Sequence, residues 1–194
     1  MKRFNNFIDI QVNGYAGIDF NTPNITADGL LHACMKLKED GVQGFLATII
    51  TADTEHMISC LQRIVQLREQ ESLIKKLILG FHIEGPFLNK TDGYRGAHNP
   101  VWIKESDIDL MNKLLYAADG LARIVTLAPE VDKDFKLIRM LASKNIIVSA
   151  GHTNANLDEL HGAIDNGLSM FTHLGNGCPA ELPRHDNIIQ RVLS

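Results

Sequence analysis

Short apolar runs rich in β-branched and aromatic residues alternate, along the whole of this 194-residue chain, with longer stretches that carry apolar residues at helical spacing. That alternation is the tightest constraint on the fold. Near-continuous apolar strands separated by helices form a parallel sheet buried on both faces, because a strand lined by apolar side chains on both sides needs cover on both sides. The pattern predicts six strands and five helices. The strands are FNNFIDIQV, QGFLATII, LILGFHIE, ARIVTLAP, NIIVSAG and LSMFTHL. Helices are expected over 26–41, from Asp53 onward, near 104–118, near 132–144 and near 156–166, with Asp53 as an N-cap.

A parallel sheet of this kind is either an open doubly wound sheet or a (β/α)8 barrel. The turn after the first strand, DIQVNGYAG, lacks the Gly-x-Gly-x-x-Gly spacing of a dinucleotide fold. Polar residues with chemical potential instead follow several different strands, which is the barrel habit. The expectation is therefore α/β, a partial (β/α)8 barrel of about six βα units, since eight units need about 250 residues. No composition break divides the chain, so 1–194 reads as a single incomplete barrel domain.

Composition closes off other classes. The formal net charge is −4 and no basic stripe interleaves with aromatics, which argues against a nucleic-acid partner. No apolar stretch approaches membrane-spanning length, and Asp9 and Gln11 interrupt the run after Lys2 and Arg3 before it can serve as a signal-peptide core. Cys34, Cys60 and Cys178 are widely spaced with no Cys-x-x-Cys pair, as expected of free thiols in a reducing cytoplasm.

Three of the strands end on a metal-binding type of side chain: Glu84 in GFHIEGPF, His152 in SAGHTNA and His173 in MFTHLGNG. Parallel strands side by side would bring these ends to one mouth, and a carboxylate with two imidazoles there can hold a metal. The plain alternatives are a solvated acid and hydrogen-bonded rim histidines. Residues two apart on a strand share a face, so His82 points the same way as Glu84, and Gln11 the same way as Asn13. For His82, direct contact with a ligand group and a hydrogen bond to one are both open.

The segments GFHIEGPFLN, RGAHNP, VTLAPE, SAGHTNA and THLGNG, with the opening IDIQVNGYAG, stand in an order and spacing that resembles the N-acetylglucosamine-6-phosphate deacetylase family of amidohydrolases. The resemblance implies a metal-dependent barrel, flanked in the family by a small β-sandwich that the chain would lack. It implies that Glu84, His152 and His173 are ligands of one divalent cation (zinc, iron or cobalt). The superfamily's His-x-His position is Gln11-x-Asn13 here, neither a good ligand for a second cation.

It further implies that Ala97 and His98 contact substrate. Asn176, the backbone N–H of Gly177, and Arg184 would hold a sugar phosphate. The implied reaction hydrolyses the N-acetyl amide of N-acetylglucosamine 6-phosphate to glucosamine 6-phosphate and acetate, in amino-sugar catabolism. The family's catalytic aspartate would fall beyond Ser194, so no catalytic acid is assigned within the chain. THLGNGCP also departs from the commoner His-Leu-x-Asn-Ala-Met form. A second expectation follows: a non-catalytic remnant that binds metal or sugar phosphate, or that works as a homodimer or with a complementing chain.

Overall fold

The structure is a computed structural model that describes residues 7–194; the first strand's predicted beginning at Phe4 lies outside them. The described residues form two compact units. One comprises the chain up to Ile83 with Met111–Arg123, and the other Glu84–Leu110 with Ile124–Ser194.

In the first unit β1 (Phe7–Val12) pairs in parallel with β4 (Val42–Ile50). Between them come a hairpin of β2 (Gly14–Tyr15) and β3 (Ile18–Asp19) and the helix α1 (Ala27–Glu39). Thr26 caps α1 through a bond from Gly29 N. Asp53 caps α2 (Thr54–Gln70) by accepting from Glu55 N and His56 N, as its type and place predict. A six-residue helix, α3 (Ser72–Leu77), leads into β5 (Ile78–Glu84). The apolar stripes of α1 and α2 are buried: Leu30, Cys34 and Leu37 on one, Met57, Leu61, Ile64 and Leu67 on the other. Phe20 and Phe45 stack at 5.8 Å among these residues. Burial pushes the thiols of Cys34 and Cys60 up, to about 12 and about 11, the second with help from the charge of Asp19; both are inert packing residues.

The second unit contains the outer ends of β5 and β6 (Ala122–Leu127), then β7 (Ile147–Ala150) and β8 (Leu168–Phe171). The helix α4 (Ile108–Ala117) precedes β6. Helix α5 (Lys136–Ser143) starts later than the sequence pattern suggests, because two 3-10 turns, Pro129–Val131 and Lys133–Phe135, intervene. Asp132 caps it from outside, its buried carboxylate accepting from Leu137 N at 3.2 Å and Ile138 N at 2.9 Å. Helix α6 (Leu157–Asp165) opens with a capping box between Asn156 and Glu159. Helix α7 (Ile188–Leu193) packs Ile188 with Tyr94, Ala155 and Leu160.

The sheet order is β1-β4-β5-β6-β7-β8, strictly sequential. A doubly wound sheet reverses direction at a switch point, and this one does not. The fold class is α/β with the topology of a partial (β/α)8 barrel, as the alternation predicts. The seven α-helices exceed the five expected by α3 and α7 among the described residues.

Candidate metal centre

Register decides what meets at the strand ends of the second unit. Leu127 pairs with Ala150, and Ala150 with Phe171. The bonds continue past the strands: Gly151 N donates to Leu127 O, Thr172 N to Ala150 O, and Gly85 N to Thr126 O. Glu84, His152 and His173 therefore leave β5, β7 and β8 of one sheet at one level. Both histidines take the left-handed backbone conformation, φ 51° at His152 and 30° at His173. Non-glycine residues hold that conformation only where the surroundings over-determine it, and it is common at functional sites.

The side chains converge. His173 Nε2 lies 2.8 Å and His152 Nε2 3.2 Å from the same oxygen, Glu84 Oε1. His98, from the long loop after β5, joins them, with its Nε2 3.1 Å from His152 Nε2 and 4.0 Å from Glu84 Oε1. The His98 and His152 rings meet edge-on at 4.3 Å, those of His152 and His173 at 4.9 Å. Glu84, His98 and His152 are 3%, 6% and 7% exposed.

The donor set fits a divalent cation. His152 Nδ1 lies 3.0 Å from Tyr94 O and His173 Nδ1 3.3 Å from Asn176 O. A carbonyl only accepts, so each Nδ1 carries the proton, and in the neutral ring each Nε2 is left as a lone pair aimed at the carboxylate. Lone pairs from several sides facing one carboxylate oxygen repel unless a cation or protons lie between them. An Nδ1–H fixed by a backbone carbonyl is also how proteins orient histidine ligands. Among the described residues, Glu84, His98 and His152 place ligand atoms within 4.8 Å of one another. His98 Nδ1 is buried and has no hydrogen-bond partner among the described residues, which makes it an open position for a bound group.

The electrostatics agree with a cluster built around one anion. Burial pushes the Glu84 carboxyl up, but where protons rather than a cation lie between the groups, hydrogen bonds from His152 and His173 and the nearby imidazole charge outweigh it, leaving the group well below the usual carboxylate range. Burial, reinforced by His152, lowers His98 to about 4, so this ring is neutral at pH 7. His173 is raised, chiefly by its hydrogen bond to Glu84.

The remaining sequence candidates are placed less uniformly. Gly177 lies against the His152 ring, and Asn176 presents its carbonyl to His173. Ala97 is exposed beside His98. Arg184 is exposed, its carbonyl accepting from Gln190 Nε2 at 2.7 Å. In the first unit His82 is fully buried with Nδ1 at 3.1 Å from Ile10 O. Gln11 follows Asp9, whose carboxylate accepts its N–H at 3.0 Å, and Asn13 O accepts from Phe20 N at 3.1 Å.

The sequence reading missed what holds His152. A Cβ on Gly96 would come within 2.8 Å of its Cε1, and one on Gly177 within 2.7 Å of its Nδ1. Both glycines have positive φ, 55° and 75°. The ring is thus clasped between two backbones that approach closely because neither carries a side chain. Gly177→Ala is expected to weaken Zn²⁺ binding by about tenfold or more, because displacing a ligand's supports costs about 10–100-fold in affinity. Isothermal titration with Zn²⁺ checks it; an unchanged affinity in a folded variant would mean that the clasp does not position the ring.

No family model matches the chain. It is 36% identical over 189 residues to the N-acetylglucosamine-6-phosphate deacetylase of Bacillus subtilis, covering 96% of this chain and 47% of that protein. The crystal structure of the Pasteurella multocida N-acetylglucosamine-6-phosphate deacetylase superposes with a TM-score of 0.81 at 32% identity, covering 97% of this chain and 48% of that one. A mutant Mycobacterium smegmatis N-acetyl-D-glucosamine-6-phosphate deacetylase, solved in complex with N-acetyl-D-glucosamine-6-phosphate, superposes with a TM-score of 0.82 at 30% identity. That match covers 95% of this chain and 46% of the mutant's. The chain thus spans about half the length of the relatives it matches. Over that span it is similar, in sequence and in fold, to N-acetylglucosamine-6-phosphate deacetylases.

Proposed function

We propose that Glu84, His152 and His173 hold one divalent cation, and that the site serves hydrolysis of the N-acetyl amide of an amino-sugar phosphate. The observation that carries the reading is the convergence of two imidazole nitrogens on Glu84 Oε1, with both rings fixed through Nδ1 to backbone carbonyls. The substrate class rests on the relatives' names and on the sugar phosphate bound in the Mycobacterium mutant. When bound, a divalent cation supplies Lewis acidity that polarises an amide carbonyl and makes water acidic enough to attack it at neutral pH.

The chain's own residues do the rest of the positioning. Glu84 supplies the anionic charge, and its low pKa keeps it ionised across the physiological range. His98 is neutral and its buried Nδ1 has no partner among the described residues, which leaves that nitrogen to meet the substrate's acetamido group. Ala97, Asn176, the N–H of Gly177 and Arg184 would receive the sugar phosphate; an exposed guanidinium suits bidentate contact with phosphate oxygens. Gln11 and Asn13 are poor ligands for a second cation and His82 is not assigned to the metal, so the proposal is one cation rather than two. The reading places the protein in amino-sugar breakdown in the cytoplasm. No helix among the described residues is long and apolar enough to cross a membrane.

A second reading stands beside the first: the chain holds metal and sugar phosphate without turnover, or turns over only as a homodimer or with a complementing chain. Acetate release from N-acetylglucosamine 6-phosphate, measured with added Zn²⁺, Fe²⁺ or Co²⁺, separates them. Turnover that disappears in Glu84→Gln supports the first. Zn²⁺ binding without acetate release supports the second, and absence of both defeats the metal-site reading.

A further inference from the structure

The motif VTLAPE ends on an acid just past a strand, the same signature that marks Glu84, yet the site described above leaves Glu130 without a role. Its carboxylate lies in the 3-10 turn after β6, half-buried, and is fully engaged. Oε1 accepts from Asn89 Nδ2 at 2.8 Å and from Asn154 N at 2.8 Å, and Oε2 accepts from the Thr153 hydroxyl. Asn89 N in turn donates to His152 O at 2.9 Å. Thr153 Oγ1 accepts from Ala155 N at 2.9 Å.

These bonds form a closed ring that ties the loop after β5 to the segment after β7, with the turn after β6 as the tie point. The ring encloses the two peptide units that follow His152, the residue whose backbone sits at φ 51°. We infer that Glu130 is a positioning residue for the metal centre: its carboxylate holds the left-handed turn at His152 and so sets the direction of that imidazole. The inference rests on the metal-site reading above. Among the described residues its three hydrogen-bond partners are donors that belong to the scaffold.

A network of this kind separates positioning from simple stability. Asp132, two residues on, is also a buried carboxylate that accepts two backbone N–H groups, but it caps α5 and touches nothing next to His152 in the hydrogen-bond pattern. Both acids support the fold, and only Glu130 supports the ring.

The experiment is Zn²⁺ titration of the whole chain, with thermal unfolding of the metal-free protein measured alongside, for wild type, Glu130→Ala, Glu130→Gln, Thr153→Val and Asp132→Ala. Glu130→Ala is expected to weaken Zn²⁺ binding by about tenfold or more, within the range for loss of a ligand's outer partners. Glu130→Gln is expected to bind within about threefold of wild type, since its oxygen can serve both N–H donors and its amide can donate to Thr153, whose hydroxyl accepts as well as donates. Thr153→Val removes one bond of the ring and is expected to lose about threefold or more, a fraction of the range for such partners. It carries the test if Glu130→Ala does not fold. Asp132→Ala is expected to lower the melting temperature and keep wild-type affinity.

Wild-type affinity in folded Glu130→Ala overturns the inference, or in Thr153→Val if that variant stands in for it. A loss in Asp132→Ala as large as in Glu130→Ala overturns it too, because the effect would then be general destabilisation. Wild type that takes up no Zn²⁺ defeats the metal-site reading itself.

Discussion

Glu84→Gln is expected to reduce affinity for Zn²⁺ by about a hundredfold or more, at least the upper end of the cost of disturbing a ligand's supports. The amide oxygen is uncharged, and Glu84 is the carboxylate on which His152 and His173 converge. Removing that charge leaves two imidazoles to hold a dication without an anionic partner. The same change acts on the metal-free chain. The hydrogen bond to Glu84 is the leading cause of the raised pKa of His173, so the imidazolium loses its support and titrates lower in the variant. In wild type that pair contributes stability below the ordinary histidine pKa, and the contribution is lost as pH rises through the raised value. A metal titration together with the pH dependence of the His173 ring resonances by NMR checks both effects. Equal Zn²⁺ affinity in wild type and variant would remove Glu84 from the site.

The largest expected effect on stability lies in the first unit. Phe45→Ala is expected to cost about 3–5 kcal/mol, the range for deleting a buried aromatic ring from a close-packed core. Phe45 is fully buried and stacks with Phe20 at 5.8 Å, so the deletion leaves a cavity lined by a ring that has lost its partner. Against a total stability of about 5–15 kcal/mol this is a large share. Urea unfolding followed by circular dichroism measures it. A loss below about 1 kcal/mol, smaller than the usual range for such deletions, would mean that this part of the core collapses freely around the gap.

The parts of the fold that were legible in the sequence are those with long periodic signals. Helices α1 and α2 announce themselves through apolar spacing and through Thr26 and Asp53 at their caps. Strands β4, β5 and β6 are apolar on both faces and bounded by turn residues. What escaped is short or is held from a distance. The strands of the β2–β3 hairpin have two residues each, too few to show an alternation. Helix α3 follows α2 after a single extended residue, Glu71, so its pattern merges with the preceding helix. The late start of α5 depends on Asp132, which reaches Leu137 and Ile138 across five and six residues, beyond the usual capping distance.

The site shows the same division. Glu84, His152 and His173 could be read because each ends a strand, and parallel register then carries them to one level. His98 was assigned to substrate by resemblance, and nothing in local spacing places it at 3.1 Å from His152 across 54 residues of chain. Nor does composition reveal that Gly96 and Gly177 clasp one ring from two loops. Close approach of backbone to side chain leaves no periodic trace. Its only local sign is a glycine where a turn does not otherwise demand one.

The central claim is that one divalent cation sits among these strand ends. Anomalous diffraction at the zinc edge, from crystals of the chain grown with Zn²⁺, tests it most directly. One peak per chain is predicted, within about 2.0–2.2 Å of a Glu84 carboxylate oxygen and of Nε2 of His152 and His173, the usual zinc distances. A fully occupied peak elsewhere, or none near Glu84 in a chain saturated with zinc, would contradict it.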